Sequence, residues 1–365
     1  MTGTSRSRFR GAGPTLTGAS SPWLGSGIDR VRGWNAGRRE QVRVKNRWLV
    51  TGGAGYIGAH TVRQMLDAGF DVEVLDDFST GKRERLPEDV TVHQGDLLDE
   101  VAVAEVLDRC APEGVIHLAG KKQARESREI PLEYWAVNLM GTVSLLAAMT
   151  RIGIQNLLFS SSCAVYGSQA GVDEESIVSP ESPYGASKAA AEMVITDVAR
   201  AGSLRAVNLR YFNVIGCADF RGAHDVASQS VLPRMISAAM NGDPLPVLGT
   251  DRPTPDGSCL RDYLDVRDIA QAHVVIAQAL MSGEQVPDVL NASSGQPLSV
   301  LEIARATNRA VGRPEDALEL LPSHPADPSE IWAARSPRMA QLGWAPKYSL
   351  EESIASHVHA LAQDN

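Results

Sequence analysis

Two residues one helical turn apart carry a phenol and an ammonium group. Tyr184 and Lys188 lie four positions apart in the run SPYGASK at 182–188, so their side chains share one face of a predicted helix. A tyrosine near its usual pKa of about 10 is a poor base at neutral pH, but neighbouring positive charge favours the phenolate. Ser162, just past the apolar run 157–160, adds a hydroxyl that can hydrogen-bond a substrate oxygen. These three residues predict transfer of the proton that accompanies hydride transfer at a carbinol.

A glycine-rich turn upstream predicts the site of the hydride carrier. Gly52, Gly55 and Gly58 follow the apolar run 48–51 and begin a predicted helix. In this context the first glycine permits a tight turn, the second lets the backbone approach a pyrophosphate, and the third lets helix pack on strand. The helix N-terminus then supplies N–H groups to the anion. The turn predicts a dinucleotide site.

A carboxylate indicates which dinucleotide binds. Asp76 ends the next predicted strand, 21 residues after Gly55. A carboxylate there accepts hydrogen bonds from a ribose 2′-hydroxyl and repels a 2′-phosphate. Lys82 and Arg83 would favour NADP, but they fall in the following loop and carry less weight. NAD is therefore the predicted cofactor.

The elements that must position these residues alternate along the chain. Predicted strands are 48–51, 72–76, 90–94, 114–118, 156–160 and 206–211. Predicted helices are 56–69, 99–110, 131–152, 181–202, 231–242, 265–282, 299–312 and 349–362. Strand–helix alternation with crossovers of this length predicts an α/β fold, a doubly wound parallel sheet of the Rossmann type. We expect residues 46–213 to form the dinucleotide-binding domain and 214–365 a smaller α/β substrate lobe, interleaved with the last sheet strands.

The charge of the chain is unevenly distributed. Residues 1–47 hold ten Lys and Arg against two acids, a net of +8, so with −9 overall the remainder carries −17. An acidic body without a basic stripe argues against nucleic acid as a partner. Residues 1–45 are rich in Arg, Gly and Ser without apolar periodicity, and we expect a disordered, dispensable extension rather than a targeting peptide.

Cysteine and apolar patterns indicate the compartment. The cysteines are scattered and form no Cys-x-x-Cys pair; they are Cys110, Cys163, Cys217 and Cys259. A disulfide framework or zinc site is therefore not expected, and a reducing cytoplasm is. His357 and His359 face different sides of the last predicted helix, so no metal site is expected. No run approaches the roughly 18 apolar residues of a membrane span, and no membrane contact is expected.

Four longer runs carry a family resemblance. They are TGGAGYIG at 51–58, FSSSCAVYG at 159–167, RYFN at 210–213 and TPDGSCLRDY at 254–263. Over about residues 47–350 the chain resembles the extended short-chain dehydrogenase/reductases, and among them the UDP-glucose 4-epimerase type. The resemblance implies NAD-dependent epimerisation at C4 of a nucleotide-activated hexose, UDP-glucose or UDP-galactose in type, through a transient 4-keto sugar.

The resemblance also assigns residues. Those implied to bind NAD are Gly52, Gly55, Tyr56, Ile57, Gly58, Asp76, Asp77, Phe78, Ser79, Thr80, Gly81, Asp96, Leu97, Leu118, Ala119, Gly120, Lys122, Asn138, Tyr184, Lys188 and Phe212. Ser162 and Tyr184 are implied to act on the sugar 4-hydroxyl, with Lys188 completing the catalytic set. Asn213 is implied to contact a phosphate, Arg261 to clamp the pyrophosphate, and Asp327 to bind the nucleotide ribose. The guanidinium fork suits a phosphate.

Three places differ from what related enzymes carry: one differs from the 4,6-dehydratases, and two in the substrate lobe differ from the epimerase-type pattern itself. Related 4,6-dehydratases carry an Asp-Glu pair where this chain has Cys163 and Ala164, which cannot perform that acid–base step, so dehydration is disfavoured. Cys163 could serve as a thiol of the kind used in 3,5-epimerisation, but packing is the favoured role. A second phosphate-binding arginine is replaced by His324. The loop pair usually seen over the nucleotide reads ASQSV at 227–231.

Alternatives of function stay open at this point. Another nucleotide-sugar enzyme of the class, such as a decarboxylase or a 4-ketoreductase, would share these motifs. A catalytically idle NAD-binding scaffold would share the fold, although the intact Ser-Tyr-Lys set argues against it. The expected assembly is a homodimer through a four-helix contact, using apolar residues of two predicted helices: Leu139, Val143, Leu146, Met193, Val194 and Val198.

Overall fold

The computed structural model describes residues 46–202, 204–224, 230–323 and 327–363. The sequence-based statements on residues 1–45, on His324 and on most of the run 227–231 lie outside these ranges. The description below is confined to them.

Seven parallel strands form the main sheet. They are β1 (Arg47–Thr51), β2 (Asp71–Asp76), β3 (Thr91–Gln94), β4 (Gly114–His117), β5 (Asn156–Ser160), β7 (Arg205–Tyr211) and β12 (Val289–Ala292), in the spatial order β12-β7-β5-β4-β1-β2-β3. The order reverses direction at β1, as in a doubly wound sheet, so the predicted fold class is confirmed. Six strands match the prediction to within one residue at each end. The seventh comes from the C-terminal half and was not predicted as a strand.

Helices cover the sheet and the later part of the chain. They are α1 (Tyr56–Asp67), α2 (Glu100–Cys110), α3 (Glu126–Glu129), α4 (Pro131–Tyr134), α5 (Gly141–Ile152), α6 (Pro183–Arg200), α7 (Val231–Asn241), α8 (Val266–Ser282), α9 (Val300–Ala310), α10 (Pro337–Gln341) and α11 (Leu350–Gln363). The predicted helix 131–152 is interrupted by a π-helical segment, Trp135–Met140. Single π turns inside helices are frequent at functional sites.

Alternating side chains of the sheet fill two separate cores. On β1, Trp48 and Val50 belong to the layer under α1 and α8, whereas Leu49 belongs to the layer under α2, α5 and α6. Successive residues of a strand point to opposite faces, so one apolar strand can supply both layers. All three residues are fully buried. The sheet therefore holds its loops on a rigid, doubly covered platform.

The catalytic helix begins at a defined residue. Ser182 caps α6 by accepting a hydrogen bond from the Gly185 N–H at 3.1 Å, and Pro183 occupies the first helical position. A serine cap followed by proline is the combination that favours a helix start. Tyr184 and Lys188 therefore lie in the first two turns of α6, at the edge of the sheet.

Shorter strands build the remaining layer. They are β6 (Ala170–Val172), β8 (Asn213–Ile215), β9 (Leu245–Leu248), β10 (Leu260–Arg261), β11 (Tyr263–Asp265), β13 (Leu298–Ser299), β14 (Leu318–Leu321) and β15 (Glu330–Ala333). They pair as β13-β10-β15-β6, β11-β8 and β14-β9. β6 precedes α6 in the chain yet pairs with β15, while β12 joins the main sheet. The two halves therefore exchange strands, and a boundary near residue 213 stays a prediction.

One stretch meets the length and composition criteria for a membrane span. It runs from Pro131 to Ile152 and includes the π-helical segment. Asn138 and Thr142 interrupt its apolar pattern, which is why the sequence shows no long apolar run. Leu145 and Met149 are fully buried in the core beside α2. The α5 part of the stretch thus packs into the core, whereas Leu132 and Met140 in its first half are exposed.

Candidate active site

Two positions of the glycine motif after β1 accept only a residue without a Cβ. Gly52 has φ +70°, and a Cβ there would lie 2.5 Å from the backbone N of Ala119. A Cβ on Gly58 would lie 2.1 Å from the Gly52 carbonyl oxygen. No side chain caps α1, whose N-cap is Gly55. The first N–H groups of a helix have no acceptor within the helix, and beside a close backbone approach they suit a pyrophosphate, so the turn fits the dinucleotide predicted for it.

The carboxylate of Asp76 is fixed beside this turn. It is buried, and it accepts hydrogen bonds from the N–H groups of Ala54 and Phe78, each at 2.9 Å. Burial raises the pKa of this carboxyl group and the two backbone hydrogen bonds oppose the rise. Gly81 packs against it so closely that a Cβ would lie 2.6 Å from Oδ1. The carboxylate is thus held at the end of β2, where a ribose hydroxyl is expected.

Of the two basic residues that could have favoured NADP, Arg83 has partners in its own loop. Arg83 donates to the carbonyl oxygens of Leu86, Pro87 and Glu88, at 3.4, 3.1 and 3.3 Å. Lys82 is exposed. The guanidinium of Arg83 is therefore engaged by its own loop, which favours the preference for NAD.

Asn138 ties the loop after β4 to the catalytic helix. Its Oδ1 accepts from the N–H of Lys121 at 2.8 Å, and its Nδ2 donates to the Lys121 carbonyl at 3.1 Å and to the Ser187 hydroxyl at 3.0 Å. A Cβ on Gly120 would lie 2.9 Å from Oδ1. The π-helical segment carries this buried amide inward, directly beside the residues at the end of β4.

The catalytic set comes together at the carboxyl ends of β5 and the start of α6. Lys188 is buried, and its Nζ donates to the Ser160 carbonyl at 2.9 Å and lies 4.7 Å from the Phe159 ring centroid. The hydroxyl of Ser162 lies close enough to the Tyr184 phenol to lower its pKa. Ser162 and Tyr184 therefore lie side by side, and Lys188 follows one turn later on α6, while their joint catalytic role stays a prediction.

Burial dominates the titration of both α6 groups. It lowers the pKa of Lys188 to about 8. It also raises the pKa of Tyr184 above its usual value, against the lowering effect of the Ser162 hydrogen bond. Positive charge from the ammonium and from an oxidised nicotinamide together was expected to lower the pKa of the phenol; the chain's own groups give a net rise, and the combined effect stays a prediction. Desolvation of a phenolate outweighs the local hydrogen bond here.

A buried ion pair beneath the catalytic set was missed by the sequence analysis. Glu192, one turn after Lys188, accepts from Nε of Arg210 at 2.8 Å and also from the Ser161 hydroxyl. Arg210 in turn donates to the Tyr166 hydroxyl at 2.9 Å. The network joins β5, α6 and β7. A carboxylate four residues after the catalytic lysine, with an arginine in the run RYFN, was the signal available in the sequence.

A neutral histidine lies under the glycine turn and was also missed. His117 contacts the hydroxyl groups of Thr51 and Thr142, at 2.8 and 2.9 Å. Burial lowers its pKa to about 3, so the ring is neutral at physiological pH. It braces the end of β1, one residue before Gly52, against α5.

The other residues implied for NAD surround this edge of the sheet. Tyr56 donates to the Gly216 carbonyl at 2.5 Å, and Lys122 lies with its Nζ 5.8 Å from the Tyr56 ring centroid. Leu97 and Phe212 are buried, and Asp96 is exposed. Ile57 lies in the first turn of α1, and the remaining residues lie in the loop after β2 or directly after β4: Asp77, Ser79, Thr80, Leu118 and Ala119.

The substrate residues implied by the resemblance lie across from this edge. The N–H of Asn213 donates to the Asp262 carbonyl at 3.1 Å, between the two halves of the chain. Arg261 donates to the carbonyl oxygens of Leu260, Pro328 and Ser329. The neighbouring carboxylate of Asp262 accepts hydrogen bonds from the N–H groups of Ser294 and Gly295, so it does not neutralise Arg261.

Cys163 is a packing residue by its environment. Burial raises its pKa to about 12, so the thiol is protonated at neutral pH. All four cysteines are free thiols. Within the described ranges no cluster of three or more His, Cys, Asp or Glu is arranged to hold a metal ion.

A glycine turn for a dinucleotide, a carboxylate for its ribose and a Ser-Tyr-Lys set at the same sheet edge define a dinucleotide-dependent enzyme of the extended short-chain dehydrogenase/reductase class. Comparison with known proteins narrows this class. The chain belongs to the NAD dependent epimerase/dehydratase family, whose profile matches residues 48–292. The predicted family resemblance and the predicted cofactor, NAD, are thereby confirmed.

Curated relatives match nearly the whole length. The UDP-glucose 4-epimerase of Azospirillum brasilense is 38% identical over 326 residues, covering 86% of this chain and 91% of the relative. That of Corynebacterium glutamicum is 36% identical over 304 residues, covering 82% and 91%. Among solved structures, the UDP-glucose 4-epimerase from Bifidobacterium longum in complex with NAD⁺ and UDP has a TM-score of 0.81 at 31% identity, covering 87% and 98%. That from Brucella ovis in complex with NAD has 0.79 at 36%, covering 86% and 98%.

Proposed function

We propose that this protein catalyses the NAD-dependent epimerisation at C4 of a nucleotide-activated hexose, of the UDP-glucose/UDP-galactose type. The observation that carries the proposal is the meeting of Ser162, Tyr184 and Lys188 at the same sheet edge as the glycine turn and Asp76. A family defined by NAD-dependent epimerases and relatives named UDP-glucose 4-epimerase support the reaction and the sugar class. The enzyme is accordingly an isomerase.

In the proposed mechanism NAD supplies the acceptor and donor for the hydride of C4. Tyr184 takes the proton of the sugar 4-hydroxyl and returns it after the 4-keto sugar has turned in the pocket. Ser162 holds the same oxygen, since its hydroxyl lies close enough to the phenol to lower the pKa of Tyr184. Lys188, a cation below a pKa of about 8, favours the phenolate. C4 of the sugar is oxidised and then reduced again, so the product has the same oxidation state as the substrate and no net reductant is consumed.

The chain's own residues would hold both ligands. The glycine turn, Asp76 and Asn138 support NAD binding, as do the other residues implied by the resemblance. Asn213, Arg261 and Asp327 are the proposed contacts of the nucleotide sugar. Cys163 and Ala164 occupy the places where a dehydratase needs acidic side chains, which disfavours elimination.

Assembly and compartment are part of the proposal. We place the protein in the cytoplasm because all four cysteines are free thiols. We also propose a homodimer formed through α5 and α6. Leu146 is buried in the core, and Leu139, Val194 and Val198 pack against that core. Met193 and the nearby Met140 are exposed, so they are the apolar side chains proposed to meet the partner subunit.

The test is to incubate the purified protein with UDP-glucose, UDP-galactose and their N-acetylated forms, without added NAD, and to separate the products. Interconversion of a C4 pair is expected, and denatured protein should release about one NAD per chain. Tyr184→Phe is the matched control. Conversion that requires stoichiometric reductant would assign a reductase instead, and release of carbon dioxide a decarboxylase.

A further inference from the structure

Arg125 joins the two halves of the chain at the substrate side. It precedes α3, in the loop that follows β4, and its Nη2 donates to Oδ2 of Asp327 at 2.7 Å. The Arg125 side chain is 50% exposed and that of Asp327 28%. The pair therefore spans from the edge of the main sheet to the segment that carries the proposed ribose ligand.

Arg261 reaches the same segment from the other half. It donates through Nη2 to the Pro328 carbonyl at 2.7 Å and through Nη1 to that of Ser329 at 3.3 Å. Carbonyl acceptors leave its positive charge unneutralised, and among the described residues no carboxylate forms an ion pair with it. Two guanidinium groups thus attach to the three consecutive residues 327–329.

The geometry of the ion pair leaves donors and an acceptor free for a ligand. A guanidinium has five N–H groups in a planar fork, and the contact with Asp327 uses only Nη2. Asp327 keeps its second oxygen, Oδ1. Arg125 can therefore stay bound to Asp327 while its remaining donors face a phosphate, for which a fork is well suited.

The surroundings favour an anion at this point. Arg261 contacts only carbonyl oxygens, so it brings an uncompensated positive charge to the segment that Arg125 also contacts. A diphosphate carries about two negative charges, and one guanidinium leaves part of that charge without a donor. The position at which relatives supply a second arginine holds His324, outside the described residues.

We propose that Arg125 is the second phosphate-binding guanidinium of the substrate site, acting with Arg261 on the diphosphate while Asp327 holds its orientation. The inference rests on the proposed function, because it takes a nucleotide-activated sugar as the substrate. It makes Arg125 a specificity residue for the diphosphate. The nucleoside and the sugar do not depend on it.

The test compares Arg125→Gln and Arg125→Lys with the wild type. The control is Arg128→Gln, which removes an exposed arginine three residues further along in α3. Binding of UDP, inorganic pyrophosphate and uridine is measured by calorimetry on NAD-loaded protein, with NAD content and thermal melting as checks of folding. Loss of a charge-assisted hydrogen bond predicts UDP and pyrophosphate binding about tenfold or more weaker in Arg125→Gln. Arg125→Lys should fall between, and uridine binding and the control should be unchanged.

Other outcomes overturn the inference. UDP binding within twofold of wild type in Arg125→Gln would exclude a phosphate contact. Equal losses for UDP and uridine would mean that Arg125 only positions Asp327. A wild type that binds neither UDP nor pyrophosphate would also contradict it, and Arg125→Lys decides the matter if Arg125→Gln does not fold. Epimerase activity is scored separately, so Arg125-dependent UDP binding without epimerisation would remove the proposed function and leave this inference standing.

Discussion

The amide of Asn138 and the hydroxyl of Ser187 are joined by a hydrogen bond of 3.0 Å. Ser187 also donates to the Tyr184 carbonyl at 2.8 Å and directly precedes Lys188. Through the same amide, Asn138 holds both backbone groups of Lys121. One buried side chain therefore sets the distance between the loop after β4, where NAD is proposed to bind, and the helix that carries the catalytic pair.

Replacing Asn138 should damage catalysis more than folding. In Asn138→Ala the loop and α6 lose their common partner, and a displacement of about 1 Å at a reacting group can reduce kcat by roughly a hundredfold. Ser187→Ala removes only the branch to α6 and should have a smaller effect. Steady-state kinetics with melting curves measure both. A variant with normal kcat and only a lower melting temperature would show that the amide is purely structural.

Tyr184→Phe removes the proton-transfer group with little change in volume. We expect kcat to fall by about 10² to 10⁴-fold, with NAD still retained, because the phenyl ring can keep the packing of the phenol. Product analysis and the NAD released on denaturation provide the two readouts. Activity close to wild type would rule out Tyr184 as the acid–base residue.

Asp76→Asn tests the choice of dinucleotide. The amide keeps an oxygen for one of the two N–H groups of Ala54 and Phe78 but removes the charge that repels a 2′-phosphate. We expect the ratio of NAD affinity to NADP affinity to decrease. Arg83→Ala is the matched control, because that guanidinium is bound to carbonyls of its own loop and should leave the ratio unchanged. If the control changes the ratio and Asp76→Asn does not, the loop sets the preference.

His273 should make the protein less stable in acid. It is fully buried, and burial lowers its pKa to about 4. The folded state holds His273 neutral, so protonation of His273 favours the unfolded state. No stability is lost to this effect above the unfolded pKa of about 6.5, and the loss grows as pH falls toward 4. Between pH 7.5 and 5 it is worth about 2 kcal/mol of unfolding free energy.

His273→Phe should abolish that loss. The Nε2 of His273 has no hydrogen-bond partner, so the substitution leaves few polar groups unsatisfied at neutral pH. Urea unfolding at both pH values, at one protein concentration, measures the difference. Asp262 and Asp268 each have a pKa raised to about 6, so their protonation stabilises the folded state as pH falls. Both proteins contain these residues, so their effect cancels in the difference between variant and wild type. Parallel pH profiles for the two proteins would contradict the assignment.

Light scattering tests the proposed dimer. The wild type should give about twice the 39.1 kDa of one chain. Met193→Glu places a charge on a side chain that is 68% exposed on α6 and should yield monomers. Met240→Glu, at an exposed methionine of α7, serves as the control and should remain dimeric. A wild type that is monomeric at every concentration would refute the proposal.

The sequence was most informative where local rules decide the structure. The glycine turn between β1 and α1 and the helix that carries Tyr184 and Lys188 each depend on a few neighbouring residues, and each was predicted within two residues of its observed place. The pairing of Glu192 with Arg210 depends on β7 lying beside α6, and Arg125 meets Asp327 across 202 residues of chain. Such contacts follow from the tertiary fold, so local patterns do not predict them. The rise that burial gives to the pKa of Tyr184 was not predicted for the same reason, since burial is a property of the packed site.

The position of β12 has a consequence for folding during synthesis. This strand lies at the edge of the main sheet beside β7, with Leu290 opposite Leu209, but it is made about 80 residues later. Until then the emerging chain exposes the backbone edge of β7, a long and mostly buried strand that could pair with another chain. The last third of the chain therefore covers a strand edge that the first two thirds leave unpaired. A nascent chain stalled near residue 213 would expose the unpaired N–H and C=O groups of β7 to chaperones or to other copies of the chain.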